Sequence, residues 1–324
     1  MDREILRRLD WSTTELHQLT GKVAIVTGAN ALASIGGNIA YQLALRGAKV
    51  YIVSRNLDRC KAAIKEMLAR SHAISISNLK PLVADMGDYA AVRLAAEKFL
   101  EQEERLDILV NNAGIFPLTL EFDCFGVNKV MATNYLGPFV LIKTLLPILE
   151  RTAKSDPASD VRIVNVSSTA INAAPPITSF ASLEAWNDPF GGNENPDQHL
   201  QRYAYSKVAG LLLTEELQRR FDQMGVGVLV TAPHPGVVAT PGLQNVWGAE
   251  SEFYKASWTP LEGALTPLWC AAHPDVRKRE FELKGKFIMP FGALKEQDVL
   301  VNKLDASRGL WDFSEHFLDT VIDY

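Results

Sequence analysis

The sequence predicts an α/β fold built on a doubly wound parallel β-sheet flanked by helices. Short runs rich in β-branched residues, such as residues 22–27 and 49–54, alternate with longer stretches of helical periodicity. Strands that alternate with helices pair in parallel, because each helix carries the chain back to the start of the next strand. With 324 residues, 47% of them hydrophobic, the chain is long enough to bury a large core within one domain.

The predicted elements follow one another in a regular order, and six or seven strands are expected. The expected strands cover residues 22–27, 49–54, 79–84, 106–110, 162–166 and 226–230, and the expected helices cover 36–46, 57–70, 88–102, about 124–151, and 203–224.

Three regions depart from this rhythm. Residues 1–19 are expected to form a polar N-terminal helical extension, and residues 20–324 a single domain. Within that domain, residues 170–201 are rich in Pro, Asn, Gly and Asp, and residues 240–258 carry Gly, Trp and Tyr. Long irregular inserts in compact domains are usually functional lids or disordered loops, and both segments are interpreted in this way.

Composition argues against several classes of protein. The net charge of −5 and the pI of about 5.8 give no basic surface for a phosphate backbone, so no nucleic-acid partner is expected. Cys60, Cys124 and Cys270 lie in separate segments without CxxC spacing, which predicts neither a disulfide framework nor a metal site and favours a reducing, cytoplasmic location. The N-terminal residues lack an uninterrupted apolar run, so no integral membrane segment is expected.

A glycine-containing turn follows the first predicted strand, at residues 27–37. In a parallel sheet this turn lies at the carboxyl edge, where backbone N–H groups and the N-terminus of the next helix attract a pyrophosphate. The turn therefore predicts a dinucleotide site, and a purely structural tight turn is the alternative interpretation.

Tyr203 and Lys207 lie four residues apart and so share one face of the helix predicted to begin there. Carbonyl reduction needs an acid on the substrate oxygen, because negative charge develops there as hydride arrives. A tyrosine serves as that acid if its pKa falls, and a neighbouring ammonium group favours the phenolate. The spacing allows Tyr203 to act as that acid with Lys207 as its partner, but taken alone the pair also fits an ordinary solvated helix.

The glycine turn, the run at residues 111–114 (NNAG) and the Tyr203 and Lys207 pair together resemble the short-chain dehydrogenase/reductase family, over about residues 20–240. The insert at residues 169–202 and the closing segment 309–315 (GLWDFSE) resemble the retinol-dehydrogenase-like members. The resemblance implies a Rossmann-like fold and a nicotinamide cofactor.

The turn departs from the family pattern TGxxxGxG. Gly28 and Gly36 match the first and last glycines, but two extra residues lie between Asn30 and Ala33. Ser34 takes the place of the middle glycine, where its side chain would either crowd the phosphates or hydrogen-bond them.

The resemblance also implies the remaining catalytic groups. Ser168 corresponds to the serine that donates a hydrogen bond to the substrate oxygen, with Ser167 as the alternative. Asn134 corresponds to the asparagine that kinks a helix and orders a water chain to the lysine. His234 is interpreted as a turn residue rather than a base.

The end of the second strand indicates which cofactor is used. An acidic residue there favours NAD, whereas this chain has Arg55, whose forked cation binds phosphate, next to Ser54. NADP(H) is therefore expected, and an ordinary solvated Arg55 is the alternative. The resemblance implies that the Asp85 side chain and the next backbone N–H, that of Met86, contact the adenine edge; a plain N-cap role is the alternative for Asp85. The resemblance implies a cofactor site formed by Gly28, Asn30, Ser34, Ile35, Gly36, Ser54, Arg55, Asn56, Asp85, Met86, Asn112, Ala113, Gly114, Tyr203, Lys207, Pro235, Gly236, Val238 and Thr240.

These residues predict an NADP(H)-dependent oxidoreductase that interconverts a carbonyl and an alcohol on a bulky lipophilic small molecule. Apolar residues of the two inserts are expected either to line its pocket or to anchor the core: Phe180, Trp186, Phe190, Leu243, Trp247, Phe253, Tyr254 and Trp258. Two other functions stay open, an NADP(H)-binding sensor or scaffold and a non-redox isomerisation or cyclisation. The resemblance implies a homodimer or homotetramer, whose interface the two terminal segments could cover.

Overall fold

Eight strands form one sheet in a computed structural model that describes residues 9–116, 118–156, 158–176, 179–192, 196–295 and 303–322. In chain order the strands are β1 (Val23–Thr27), β2 (Lys49–Ser54), β3 (Leu79–Val83), β4 (Ile108–Asn111), β5 (Val161–Asn165), β6 (Val228–Pro233), β7 (Phe287–Met289) and β8 (Ala293–Leu294). Their spatial order is β3-β2-β1-β4-β5-β6-β7-β8, and all pairs are parallel except β7 with β8. The predicted doubly wound α/β fold is confirmed.

Helices pack on both faces of this sheet. They are α1 (Ile35–Leu45), α2 (Leu57–Arg70), α3 (Tyr89–Leu100), α4 (Lys129–Met131), α5 (Gly137–Lys154), α6 (Leu183–Trp186), α7 (Pro196–Met224), α8 (Pro241–Trp247), α9 (Glu252–Lys255), α10 (Pro260–Ala272), α11 (Pro274–Lys278), α12 (Glu280–Leu283) and α13 (Lys303–Val321). One face buries apolar residues of α1, α2 and α10, and the other buries those of α3, α5, α7 and α13. Two cores of this kind explain why the strand interiors are apolar on both sides.

The sheet reverses its winding at β1, which lies between β2 and β4. Thr27 is level with Val53 of β2, and Val26 is level with Val110 of β4, so the carboxyl ends of the three strands meet at one edge. In open parallel sheets this switch point is where ligands bind, because the loops on its two sides diverge and leave a crevice.

One helical stretch, Lys129–Lys154, is long and apolar enough by length and composition to cross a membrane. It includes α4, α5 and the turn between them, and 72% of its most apolar window is buried inside the fold. Packing against α3, α7 and the sheet accounts for this apolar character.

The predicted N-terminal helical extension is wrong for the described residues 9–19. The only helical part is a single 3-10 turn at Thr13–Glu15, capped by Ser12; residues 1–8 lie outside the described residues. The segment is held by tertiary contacts instead, because Trp11 and Leu16 are buried and the Arg46 guanidinium donates to the Thr13 carbonyl.

Several element boundaries also differ from the prediction. Helix α7 begins at Pro196 rather than at 203. Proline is tolerated in the first turn of a helix. The buried Arg202 also stabilises this start, because its guanidinium donates to the Pro189 and Gly192 carbonyls. The long helix predicted from about 124 begins at Lys129 and is interrupted by a π-helical turn at Ala132–Leu136. β6 runs over Val228–Pro233 rather than 226–230.

Candidate active site

In the lengthened glycine turn, Ser34 is the N-cap of α1. The Ser34 hydroxyl donates to the Ala31 carbonyl at 2.7 Å and accepts from the Gly37 N–H at 3.0 Å. Serine is a preferred N-cap because its oxygen satisfies a backbone donor that has no partner within the helix. In the protein alone the Ser34 hydroxyl is engaged with the turn itself, and the two expectations for it, crowding of a phosphate or hydrogen bonding to it, stay predictions.

The two extra residues are anchored to the protein core. Leu32 is buried with the apolar residues behind α1 and α2. Asn38, one turn into α1, donates to the Leu32 carbonyl at 2.6 Å and to the Ser34 carbonyl at 2.9 Å. A Cβ atom on Gly37 would collide with the Ala31 carbonyl oxygen, so the longer turn requires glycine at this position. Gly37 was not among the predicted site residues.

Gly28 and Gly36 let this turn approach β4 closely. Gly28 has a φ of +69°, and a Cβ there would lie 3.0 Å from the Asn112 side chain. A Cβ on Gly36 would collide with the same Asn112 amide. Asn112 donates in turn to the Thr27 carbonyl at 2.9 Å, and Thr27 Oγ1 accepts from the Ala113 N–H at 2.9 Å. These contacts join the ends of β1 and β4 beneath the N-terminus of α1, where Ile35 is the first helical residue. Asn30 lies at the start of the same loop.

Arg55 follows directly on β2, where the sequence predicts a site for the 2′-phosphate of NADP(H). Arg55 is exposed and forms no ion pair among the described residues. Ser54 is buried and its hydroxyl accepts from the Asn56 N–H at 3.2 Å, while the Asn56 side chain caps α2 by accepting from the Arg59 N–H at 3.0 Å. These hydrogen bonds fix the backbone next to the exposed Arg55 guanidinium.

The loop after β3 lies beside the π-helical turn. Asp85 accepts from the Gly87 N–H at 3.0 Å, and the N-cap of α3 is Asp88 rather than Asp85. Met86 is buried, and its carbonyl lies so close to Gly137 that a Cβ on that glycine would collide with it. The predicted adenine contacts thus pack directly against the helix that carries Asn134.

Tyr203, Ser168 and Lys207 come together at the carboxyl ends of β4 and β5. Burial raises the pKa of the Tyr203 hydroxyl to about 12, and its hydrogen bond with Ser168 acts in the opposite direction. The Lys207 Nζ lies 5.6 Å from the centroid of the Tyr203 ring and donates to the Val166 carbonyl at 3.0 Å. Burial lowers the pKa of Lys207 to about 8.

The expected lowering of the Tyr203 pKa by Lys207 is therefore not found in the protein alone. The desolvation of the phenol outweighs the other influences on it, because a buried phenolate loses its hydration. At neutral pH the arrangement holds a protonated tyrosine beside a protonated lysine. That is the state required to donate a proton.

Ser168, rather than the alternative Ser167, has its hydroxyl next to Tyr203. Ser168 also begins the 3-10 turn Thr169–Ala173, where its oxygen accepts from the Ala170 N–H at 3.1 Å. The Ser167 hydroxyl points into the protein and has no hydrogen-bond partner among the described residues.

Asn134 occupies the π-helical turn and binds the loop that follows the NNAG run. Its Oδ1 accepts from the Ile115 N–H at 2.8 Å, and its Nδ2 donates to the Ile115 carbonyl and to the Ser206 hydroxyl, each at 3.0 Å. A Cβ on Gly114 would lie 3.3 Å from the Asn134 oxygen and 3.6 Å from the Lys207 Nζ, so this glycine lets the strand end pass between them. The predicted helix kink is a π-helical turn, a form that is often found at functional sites.

A cavity of about 20 Å³ lies behind Lys207, lined by residues that include Asn111, Asn134, Asn165, Ser167 and Lys207. That volume suits one water molecule, and the polar lining provides the partners such a water needs. Ser206 and the Val166 carbonyl are site groups that the sequence analysis did not identify. The position of Ser206 between Tyr203 and Lys207 was a usable signal for it, whereas a backbone carbonyl leaves no signal in a sequence.

The segment after β6 runs along the crevice from Pro235 to Thr240. Gly236 has a φ of +87° and packs against the Trp258 ring so closely that a Cβ would lie 2.5 Å from it. Trp258 pairs with the backbone on both sides of Val238, through Trp258 N to Val237 O and Ala239 N to Trp258 O, both 2.8 Å. The Val238 N–H itself donates to no described group, while the Thr240 hydroxyl caps α8.

His234 is a buried structural residue next to the site. Burial lowers its pKa to about 4, so the ring is neutral at pH 7. Its Nδ1 accepts from the Thr169 N–H at 3.3 Å, and the ring stacks on Phe287 with 6.4 Å between centroids. It links the Ser168 loop to the end of the sheet and has the role of a packing residue rather than of a base.

The apolar residues of the inserts divide between core and surface. Phe180, Trp186 and Trp258 are at most 1% exposed and anchor the core. Trp247 and Phe253 are 55% and 43% exposed, and their rings contact each other at 4.9 Å between α8 and α9. In the described residues of the 170–201 insert, Phe180 and Trp186 thus belong to the core. Trp247 and Phe253, by contrast, leave apolar surface on the α8 and α9 segment that follows β6.

Comparison with known proteins agrees with this geometry. The family model described as short chain dehydrogenase matches residues 22–180. A short-chain dehydrogenase/reductase from Armillaria gallica is 36% identical over 304 residues, covering 91% of this chain and 92% of that protein. Retinol dehydrogenase 12 of Mus musculus is 34% identical over 305 residues, covering 92% and 86%. The crystal structure of an uncharacterized protein from Mycobacterium paratuberculosis superposes with a TM-score of 0.66 at 25% identity, covering 95% and 97%.

The two relatives above align with more than nine-tenths of this chain. Members of this family are oxidoreductases that use nicotinamide cofactors. The chain belongs to the short-chain dehydrogenase/reductase family, as a retinol-dehydrogenase-like member.

Proposed function

We propose that this protein is an NADP(H)-dependent oxidoreductase that interconverts a carbonyl and an alcohol on a bulky lipophilic small molecule. The observation that carries the proposal is the position of the Tyr203 hydroxyl, which is hydrogen-bonded to Ser168 and lies one helical turn from Lys207 at the switch point of the sheet. This arrangement places an acid and a second donor where a carbonyl oxygen can accept both.

The crevice fits a dinucleotide. The close approach of Gly28 and Gly36 to Asn112 opens the N-terminus of α1, where a pyrophosphate is stabilised by backbone N–H groups. The unused Val238 N–H is a donor suited to a carboxamide oxygen. A bound nicotinamide cofactor would supply the hydride, and Lys207 would bind its ribose hydroxyls.

The side chains of Tyr203 and Lys207 then carry out the proton transfers. Tyr203 gives its proton to the carbonyl oxygen while Ser168 donates a hydrogen bond to the same atom. The Lys207 ammonium stabilises the resulting phenolate and returns a proton to it. A water in the adjoining 20 Å³ cavity, which Asn134 and Lys207 both line, would supply the path by which Lys207 is protonated again.

Arg55 supports NADP(H) as the cofactor. Its guanidinium is exposed and has no ion-pair partner among the described residues, and it lies at the end of β2, where the adenosine ribose is recognised in this fold. A planar forked cation binds a phosphate in two places at once. The lengthened turn at Ala31 and Leu32 leaves the N-terminus of α1 capped and ordered, which argues against the alternative of a scaffold without activity.

Apolar surface beside the crevice supports a lipophilic substrate. Ile115 and Leu118 follow the NNAG loop and are 36% and 50% exposed, and the Trp247 and Phe253 pair lies on the segment after β6. Both segments leave the carboxyl edge of the sheet near Tyr203. All three cysteines are free thiols, which supports a cytoplasmic location as part of the proposal.

The test is a titration of the purified protein with NADPH and NADH by fluorescence, followed by NADPH oxidation with decanal, retinal and a series of aromatic ketones. We expect tighter binding of NADPH, a preference that Arg55→Ala removes and the control Arg70→Ala, at the far end of α2, retains. Tyr203→Phe should bind NADPH as wild type does and lose NADPH oxidation by at least about 100-fold, the range for a general acid. Binding without any carbonyl turnover would overturn the proposal, and a scaffold or a non-redox reaction would take its place.

A further inference from the structure

The π-helical turn that carries Asn134 is held by the C-terminal helix on the side away from the crevice. Tyr135, the next residue, places its hydroxyl 2.6 Å from the Ser314 Oγ of α13, and both side chains are fully buried. Ser314 donates its one proton to the Leu310 carbonyl at 2.7 Å. The Tyr135 hydroxyl is therefore the donor, and Ser314 is its acceptor.

Trp186 of the insert encloses this hydrogen bond. Its ring lies edge-on to Tyr135 at 6.0 Å between centroids, to Phe313 at 4.7 Å and to Phe317 at 5.6 Å. The indole N–H is bound to the Phe180 carbonyl at 2.8 Å, which fixes the orientation of the ring. The Tyr135 hydroxyl thus has no room to turn toward solvent.

Helix α13 is itself fixed on the two helices that flank the site. Glu315 pairs with Lys143 of α5, and Arg220 of α7 stacks on the Trp311 ring at 4.2 Å from its centroid. The position of Ser314 is therefore set relative to α5 and to α7, the helix of Tyr203 and Lys207.

The π-helical turn needs such support because its wider hydrogen bonds, here from the Gly137 N–H to the Ala132 carbonyl, are less common than those of an α-helix. Two successive side chains hold it from different directions. Asn134 binds Ile115 and Ser206 on the crevice side, and Tyr135 binds Ser314 on the opposite side. Rotation of the turn toward α-helical geometry would break both sets of contacts together.

We infer that Ser314 is a positioning residue for Asn134. By accepting the Tyr135 hydroxyl, it keeps the π-helical turn in the register that directs the Asn134 amide to Ile115 and Ser206, next to the cavity behind Lys207. This assigns a task to the segment 309–315, which the sequence sets apart: it acts on the site by way of the hydrogen bond between Ser314 and Tyr135. The inference rests on the proposed function for its kinetic consequence, but not for its structural one.

The experiment compares Ser314→Ala with Ser307→Ala. Ser307 is the matched control, because it lies in the same helix, is also buried, and donates only to the Leu304 carbonyl. For Ser314→Ala we expect a fall in kcat of about tenfold with decanal, little change in the dissociation constant of NADPH, and a shift of the pH profile of kcat, since proton return to Lys207 passes Asn134. Ser314→Thr, which keeps the hydroxyl, should restore the wild-type values.

Hydrogen exchange measured by mass spectrometry gives a readout that does not depend on turnover. Peptides that cover Ala132–Leu136 should exchange faster in Ser314→Ala than in wild type, and no faster in Ser307→Ala. If decanal and the other carbonyls are not reduced even by wild type, the proposed function fails while this exchange difference still supports the positioning role. Equal exchange in the two variants, or a pH profile of kcat identical in wild type and Ser314→Ala, would overturn the inference.

Discussion

At the scale of single residues, the site depends on two groups whose burial moves their pKa values in opposite directions. Tyr203 is held protonated with a pKa of about 12, and Lys207 titrates at about 8. The same loss of hydration causes both, because it disfavours the phenolate and the ammonium alike. The residue types and the spacing of this pair were visible in the sequence, but the direction of the tyrosine shift depends on burial, which the spacing does not report.

This pair predicts the pH dependence of reduction. Between pH 6 and about 7 both groups carry their protons, and the reductive kcat should be constant. As the pH rises through about 8, Lys207 loses the charge that stabilises the phenolate, so kcat should fall about tenfold per pH unit. The measurement is the pH profile of kcat with saturating NADPH and decanal, with the dissociation constant of NADPH measured at each pH as the control. A profile that stays flat to pH 10 would exclude this role for Lys207.

At the scale of elements, the turn between β1 and α1 shows how an apparent departure from a family pattern becomes part of the fold. Ser34 was recognised in the sequence only as a missing glycine. In the structure it is the N-cap, Leu32 is a core residue, and Asn38 connects the two. The residue types for a cap were present, but the path of the longer loop, which decides what each side chain faces, was not encoded in any periodic pattern.

The longer turn should be intolerant of a side chain at Gly37. In Gly37→Ala the new methyl group would collide with the Ala31 carbonyl, and the shift needed to relieve it should destabilise the protein by about 1–3 kcal/mol and weaken NADPH binding. Gly227→Ala is the control, because no atom lies within 4 Å of the added Cβ. Urea unfolding and NADPH titration of the two variants test this. An unchanged free energy of unfolding in Gly37→Ala would contradict the prediction.

At the scale of the whole molecule, each of the two cores on either side of the sheet is covered by a segment that the sequence analysis assigned incompletely. The extension at residues 9–19 packs on the α1 and α10 side, and α13 covers α5 and α7 on the other. His234 connects β6 and β7 with the loop of Ser168, since its N–H donates to the Ile288 carbonyl at 2.8 Å and its ring accepts from Thr169.

The buried His234 should make global stability depend on pH. Its pKa in the folded protein is about 4, below its usual 6.5, so the unfolded chain binds the proton more readily between these values. Its contribution is therefore fully present above pH 6.5 and is lost as the pH falls toward 4, by up to about 3 kcal/mol. Urea unfolding at several pH values should show a shallower slope over this interval for His234→Gln than for wild type. The exposed His72→Gln should keep the wild-type slope, and an equal slope in all three proteins would contradict the prediction.

The sequence by itself determined the alternation of strands and helices, the family, and the residue types of the catalytic pair, because each is written in a local pattern: apolar periodicity, the NNAG run, and a spacing of four. Only the tertiary structure decided that Ser168 rather than Ser167 meets Tyr203, that Phe180, Trp186 and Trp258 belong to the core, and that Tyr135 reaches Ser314 across 179 positions of the chain. The physical reason is the same in each case. Burial and long-range hydrogen bonds depend on which elements pack together, and a local sequence pattern does not specify which distant residues will be in contact.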